Sequence, residues 1–85
     1  MPRHNGVTHN VPLSPAGEVR GYCDDGTRIR ATPYGTTVGL CYWSHYVTVT
    51  EWKTIVTGDN MLWEWTTDHT TGVSGWVRSD CLWFS

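Results

Sequence analysis

The sequence predicts an all-β domain of short antiparallel strands, and three observations support this prediction. Threonine, valine, tyrosine and tryptophan are plentiful among the 85 residues, and β-branched and aromatic side chains suit a pleated, half-buried surface. Nine glycines and four prolines interrupt the chain at roughly the eight- to twelve-residue spacing of a small barrel or sandwich. No segment has the apolar periodicity of a helix longer than one turn.

The first half of the chain contains three predicted strands separated by turn signals. The first strand covers residues 18–23 and ends at Asp24-Asp25-Gly26, because glycine tolerates positive φ and aspartate hydrogen-bonds within its own turn. Residues 27–31 alternate polar and apolar side chains, so Ile29 is expected to point inward. A loop that begins at Thr32-Pro33-Tyr34-Gly35 then leads to a short strand over residues 38–41.

The second half continues the same pattern. Val47 and Val49 are expected on one face and Thr48 on the other, which predicts a half-buried strand. The remaining predicted elements are a turn at 57–60, a tryptophan-rich strand at 61–66, a hairpin loop at 68–72, a strand at 73–77, a corner at 78–80 and a last strand at 81–84.

Residues 1–16 are predicted to form a polar N-terminal tail, and residues 17–85 the folded domain. The tail holds three of the four prolines and lacks periodicity, as expected for a mobile or loosely draped segment. The first residues include no apolar stretch of the kind found in a secretory signal. Two locations therefore stay open: the cell envelope or the secreted fraction if a signal has been removed, and the cytoplasm otherwise.

Charge and hydropathy disfavour two classes of partner. Six Lys and Arg against eight Asp and Glu give a net charge of −2, without a basic run, so a nucleic-acid partner is not expected. The longest apolar stretches, such as 40–43 and 81–84, fall far short of the ~20 residues that a membrane span needs.

Several segments between residues 18 and 84 resemble one family. Thr27 to Pro33 has the sequence TRIRATP, and Gly72 to Val77, GVSGWV, is followed by Asp80-Cys81-Leu82. These segments resemble the opening strand and the closing signature of bacterial SH3-like (SH3b) domains. Two features depart from the family pattern: the long loop around residues 52–60, and Cys81 where the family usually has tyrosine. Weaker similarities cover 38–40, 46–49 and Trp63.

The resemblance implies a strongly bent barrel of five to six short antiparallel strands that serves as a binding or targeting module. Many such domains accompany cell-wall hydrolases and contact peptidoglycan peptides, whereas others contact proteins. Because a fold does not determine function, three hypotheses stay open. They are an envelope module that binds peptidoglycan or a peptide, a free-standing cytoplasmic interaction or inhibitor protein such as a phage-encoded blocker, and a targeting fragment of a larger cell-wall hydrolase.

The aromatic residues provide the argument for binding from composition. Six tryptophans, four tyrosines and one phenylalanine exceed what the thin core of a small barrel can bury, and exposed aromatic patches usually mark contact sites. The alternative is that the surplus rings cover the barrel ends. Trp76 is expected to be structural. The predicted ligand-binding residues are Tyr34, Trp43, Trp52 and Trp63, and the predicted aliphatic core is Ile29, Val38, Leu40, Val47, Val49, Val77 and Leu82.

Catalysis finds little support in the sequence, so no catalytic residue, metal ligand or cofactor is predicted. Cys41 and His45 have a spacing that a nucleophile and base could use, but no third group is evident to orient them. The four histidines are scattered, and Asp24-Asp25 beside Gly26 is better explained as a turn than as an acid–base pair.

The three cysteines allow at most one intrachain disulfide. The SH3-like resemblance places the segment before the opening strand beside the last strand. It therefore implies a Cys23–Cys81 disulfide and a free Cys41. Three reduced thiols, as in a cytoplasmic protein, remain the alternative.

Overall fold

A computed structural model describes residues 18–84 of the protein, and the predicted tail over residues 1–16 lies outside this range. Seven antiparallel strands form one sheet in the order β3-β2-β6-β5-β4-β1-β7. The strands are β1 (Glu18–Cys23), β2 (Thr27–Arg30), β3 (Thr37–Cys41), β4 (Val47–Val56), β5 (Leu62–Asp68), β6 (Val73–Arg78) and β7 (Leu82–Phe84), with a 3₁₀ turn over Ser79–Cys81.

The all-β prediction is confirmed, and the sheet curls into a half-barrel. Residues 18–84 form seven strands, as the segment-by-segment reading of the sequence predicts and above the five to six that the resemblance implies. Strand β4 is also longer than predicted. Its register against β5 shifts between Thr50 and Thr54, and such a bulge lets a strand bend and continue. The described residues include no helix with the length and hydropathy to span a membrane.

The apolar core lies on the inner face of the curled sheet. Alternate residues of each strand point to this face, and the buried cluster consists of Val19, Cys23, Ile29, Cys41, Val47, Val49, Val77, Leu82 and Phe84. The prediction that Val38 and Leu40 belong to the core is wrong, because their side chains are 46% and 43% exposed. Their neighbours Gly39 and Cys41 occupy the inward positions of β3, opposite Ile29 and Thr27 of β2, so the register is one residue away from the one predicted.

Strand β5 contributes polar rather than apolar groups to the inner face. Glu64, Thr66 and Asp68 are all buried there. Asp68 is satisfied by two contacts: its Oδ2 lies 2.5 Å from Nδ1 of His45, and its Oδ1 accepts a hydrogen bond from the Thr70 amide. These contacts tie the β3–β4 turn to the end of β5.

The disulfide joins Cys23 to Cys41, with 5.9 Å between their Cα atoms. It links β1 and β3, the sixth and first strands in the sheet order, and so connects one end of the curled sheet with the strand next to the other end. The expected Cys23–Cys81 pairing is therefore wrong, and the free thiol is Cys81 rather than Cys41. The physical reason is register: Leu82, not Cys81, lies opposite Cys23, while the Cys81 thiol points toward the Asp80 carboxylate.

Candidate ligand-binding surface

Three aromatic rings form a contiguous cluster on the outer face. Tyr22 of β1 and Trp83 of β7 are paired across the two strands. Trp43, in the β3–β4 turn, stacks on Tyr22 with 5.2 Å between ring centroids. Trp43 also contacts Trp83 edge to face, with 6.2 Å between ring centroids. We call Tyr22, Trp43 and Trp83 the aromatic surface.

The Asp24-Asp25 turn holds these rings in place. The indole N–H of Trp83 donates a hydrogen bond of 2.6 Å to the Asp24 carboxylate. The backbone N–H of Trp43 donates one of 2.8 Å to the Asp25 carboxylate. Charge-assisted hydrogen bonds of this kind are stronger than neutral ones. The Trp83 ring and the Trp43 backbone are therefore held in place before any ligand arrives, which lowers the entropic cost of binding.

Arg20 extends the aromatic surface toward β4. Its guanidinium lies 5.6 Å from the ring centroid of Tyr22 and 4.6 Å from that of Tyr46, close enough for cation–π attraction. Tyr46 in turn contacts the His69 ring edge to face. Trp43 and Tyr46 are 44% and 45% exposed, so this face offers both aromatic area and a positive charge to solvent.

The four residues predicted to bind a ligand do not meet at one place. Trp43 belongs to the aromatic surface, but no ring contact links it to Trp52, Tyr34 or Trp63 within residues 18–84. Trp52 is 73% exposed and lies beside the β4 bulge. Trp63 is fully buried, contrary to the prediction, because Tyr34 packs against it edge to face at 4.7 Å.

The β2–β3 loop, which contains Tyr34, is hydrogen-bonded to the β4–β5 loop. Tyr34 has a φ of 59°, which is uncommon for a residue with a side chain, and its hydroxyl donates a hydrogen bond to the Asp59 carboxylate. The hydroxyl of Thr57, and then that of Tyr34, lower the pKa of Asp59 to about 2. Thr57 also accepts a hydrogen bond from the indole N–H of Trp63, so both loops cover Trp63.

Two further tryptophans stabilise the outer face of the sheet. Trp65 and Trp76 pair across β5 and β6 and contact each other edge to face at 5.4 Å. The ammonium of Lys53 lies 3.8 Å from the centroid of Trp65. Trp76 is only 8% exposed, which agrees with the structural role expected for it.

Sequence reasoning missed Tyr22, Trp83, Arg20 and Tyr46 as members of this face. Alternation along 18–23 places Arg20 and Tyr22 on one side of the strand, so part of the signal was present. The pairing of β1 with β7 was not available from local sequence, and this pairing brings Tyr22 beside Trp83.

Cys41, His45 and Asp68 form the one cluster in the described residues whose ligand-type atoms lie within 4.8 Å of one another. The Cys41 sulfur is already bonded to Cys23, and Asp68 is satisfied by His45 and Thr70. The disulfide leaves no thiolate to bind a metal, so the contacts of this cluster are those of a structural hydrogen-bond network.

Comparison with known proteins found no matching family model, no matching curated protein and no matching solved structure. The resemblance to bacterial SH3-like domains therefore rests on the sequence segments alone.

Proposed function

We propose that this protein is a non-catalytic binding module of the SH3-like type that holds a peptide ligand on the aromatic surface. The observation that supports this most strongly is the cluster of Tyr22, Trp43 and Trp83, which lies on the outer face and is hydrogen-bonded to the Asp24-Asp25 turn. Tryptophan and tyrosine provide large rigid contact area at low entropic cost.

A peptide fits this face because the rings lie beside groups of both charge signs. Arg20 borders the cluster on one side, and the carboxylates of Asp24 and Asp25 border it on the other. A peptide backbone offers both carbonyl acceptors and N–H donors to such a rim. Two sources share this chemistry: the stem peptide of peptidoglycan and a segment of a protein partner.

Co-sedimentation with purified peptidoglycan, run beside selection from a displayed library of short peptides, tests the proposal and separates the two sources. The expected result is saturable binding in one arm, abolished when the aromatic surface is altered by Trp83→Ala. Binding in the peptidoglycan arm alone assigns an envelope function, and binding in the library arm alone assigns a protein partner. Failure of both arms, with folded protein, contradicts the proposal.

A further inference from the structure

A pocket of about 380 Å³ opens on the outer face next to the aromatic surface. Three arginines line it: Arg28 and Arg30 of β2, and Arg78 of β6. Asp24 and Asp25 form the wall that it shares with the aromatic surface. We call this cavity the arginine pocket.

Strand geometry brings the three guanidinium groups together. Along β2, Thr27 and Ile29 are buried, so the alternate residues Arg28 and Arg30 point outward. Arg30 is paired with Trp76 of β6. Arg78 follows Trp76 by two residues and therefore points to the same face of the sheet.

The three arginines have more N–H donors than the acceptors of residues 18–84 satisfy. Arg30 donates one hydrogen bond, of 2.8 Å, to the Gly35 carbonyl, and Arg78 donates one, of 2.9 Å, to the Asp80 carboxylate, whereas a guanidinium has five N–H groups. The Nε of Arg78 is buried and finds no acceptor among residues 18–84. The Arg78 side chain as a whole is 40% exposed, so the remaining N–H groups of its guanidinium are open to an acceptor from a ligand.

We propose that the arginine pocket binds a carboxylate group of the ligand that occupies the aromatic surface. This inference rests on the binding function proposed above, because the ligand must cross the shared wall formed by Asp24 and Asp25. The planar fork of an arginine matches the two oxygens of a carboxylate. The ligand is then a peptide with a free carboxylate, seated in the pocket while the rest of the peptide lies on the rings.

Local charge favours a carboxylate over a phosphate. Asp24 and Asp25 line the pocket and Asp80 pairs with Arg78, so three carboxylates lie beside the three arginines and balance their charge. Burial is the main cause that raises the pKa of the Cys81 thiol, which keeps this pocket-lining group neutral at neutral pH. A singly charged anion suits such a balanced site better than a doubly charged one.

The test follows the Nε–Hε resonances of the arginines by NMR while one of two probes is added. The probes are N-acetyl-trialanine as the free acid and as its C-terminal amide. The acid is expected to shift the Arg78 Nε–Hε resonance and to bind about tenfold more tightly than the amide, the size of one strong charge-assisted hydrogen bond. Equal binding of acid and amide, or a stationary Arg78 resonance, overturns the inference, as does tighter binding of inorganic phosphate than of the acid.

Matched variants assign the effect to the pocket. Arg78→Gln is expected to remove the preference for the acid, and Lys53→Gln, which loses the same charge above Trp65, is expected to keep it. Arg28→Gln, at an exposed position, provides a second pocket variant if Arg78→Gln does not fold. Loss of the preference in Lys53→Gln as well shows a general charge effect and overturns the inference.

The same two probes distinguish a wrong carboxylate assignment from a wrong proposed function. Trp43→Ala is expected to weaken the acid and the amide by the same factor, because its ring contacts the part that both probes share. If Trp43→Ala changes neither affinity, the aromatic surface is not the binding face. If Trp43→Ala weakens both but the acid has no advantage, only the carboxylate assignment is wrong.

Discussion

The exposure of an individual side chain on this sheet depends more on its neighbours than on its residue type. Trp43 and Trp63 both lie near loops in the sequence, yet one is 44% exposed and the other is fully buried. Tyr34 makes the difference, because its ring packs against Trp63 and its hydroxyl binds Asp59 across 25 residues of sequence. Local sequence shows which residues are aromatic, but it does not show which loop will cover them.

The Asp59 carboxyl is expected to titrate near pH 2 in the folded protein. The hydroxyls of Thr57 and Tyr34 donate to its ionised form and lower its pKa from the ordinary value of about 3.9. A pKa that is lower in the folded state means that the contribution to stability is fully present above about pH 4 and is lost as the pH falls toward 2. An NMR titration of the side-chain carboxyl carbon measures this directly.

Two variants test the cause of the lowered pKa. Thr57→Val is expected to raise the pKa of Asp59 more than Tyr34→Phe does, because the Thr57 hydroxyl is the larger cause. A wild-type midpoint near 4 would show that the two loops are not joined through Asp59.

At the scale of elements, turn signals and alternation predicted the strands well. The turn at Asp24-Asp25-Gly26 and the inward Ile29, Val47 and Val49 agree with the structure. Thr48, expected on the exposed face of a half-buried strand, is buried as well. The inward register of β3 was missed because hydropathy favours Val38 and Leu40, whereas Gly39 and Cys41 occupy the inner face. Which residues of β3 face inward depends on its pairing with β2 and on the Cys23–Cys41 disulfide. Local hydropathy carries no information about either.

Gly75 is expected to be intolerant of a side chain because it lets β6 approach β2 closely. A Cβ there would lie 2.5 Å from the Arg30 carbonyl oxygen and 2.7 Å from Cγ2 of Ile29. We therefore expect Gly75→Ala to lower the free energy of unfolding by about 1–3 kcal/mol, as overpacking does, in urea titrations. Gly58→Ala is the matched control, because no atom lies within 4 Å of its added Cβ. Equal unfolding midpoints for the two variants would contradict this account of the β2–β6 contact.

At the scale of the whole molecule, the Cys23–Cys41 disulfide fastens one end of the curled sheet to the strand next to the other end. The cysteine pairing could not be read from sequence, because three cysteines allow three single bridges and only the sheet order selects one. The all-β class, by contrast, follows from composition and turn spacing that are spread over the whole chain.

Reduction of the disulfide is expected to destabilise the protein by about 3 kcal/mol, the chain-entropy estimate for a loop of this size, given the 18-residue separation. Urea unfolding with and without reductant measures the difference, and Cys81→Ser, which lacks the free thiol, should show the same loss. Mass spectrometry after alkylation without reductant should find Cys81 as the modified cysteine. A bridge that contains Cys81 would contradict the sheet closure described here.

Ligand binding by the aromatic surface is tested most directly by a binding curve and a thermal melting curve for Trp43→Ala. Truncation of a tryptophan at the centre of a contact costs about 2 kcal/mol or more of binding, roughly thirty-fold in affinity, whereas truncation of a buried tryptophan costs about 3–5 kcal/mol of folding. Trp52→Ala is the matched control: Trp52 is 73% exposed but lies outside the aromatic surface, so this variant is expected to keep wild-type affinity. An equal loss of affinity in Trp52→Ala would instead support the sequence-based prediction that Trp52 binds the ligand. We expect Trp43→Ala to lose ligand affinity about thirty-fold with a nearly unchanged melting temperature. Wild-type affinity in Trp43→Ala, or unfolding as severe as that of Trp76→Ala, would contradict the account.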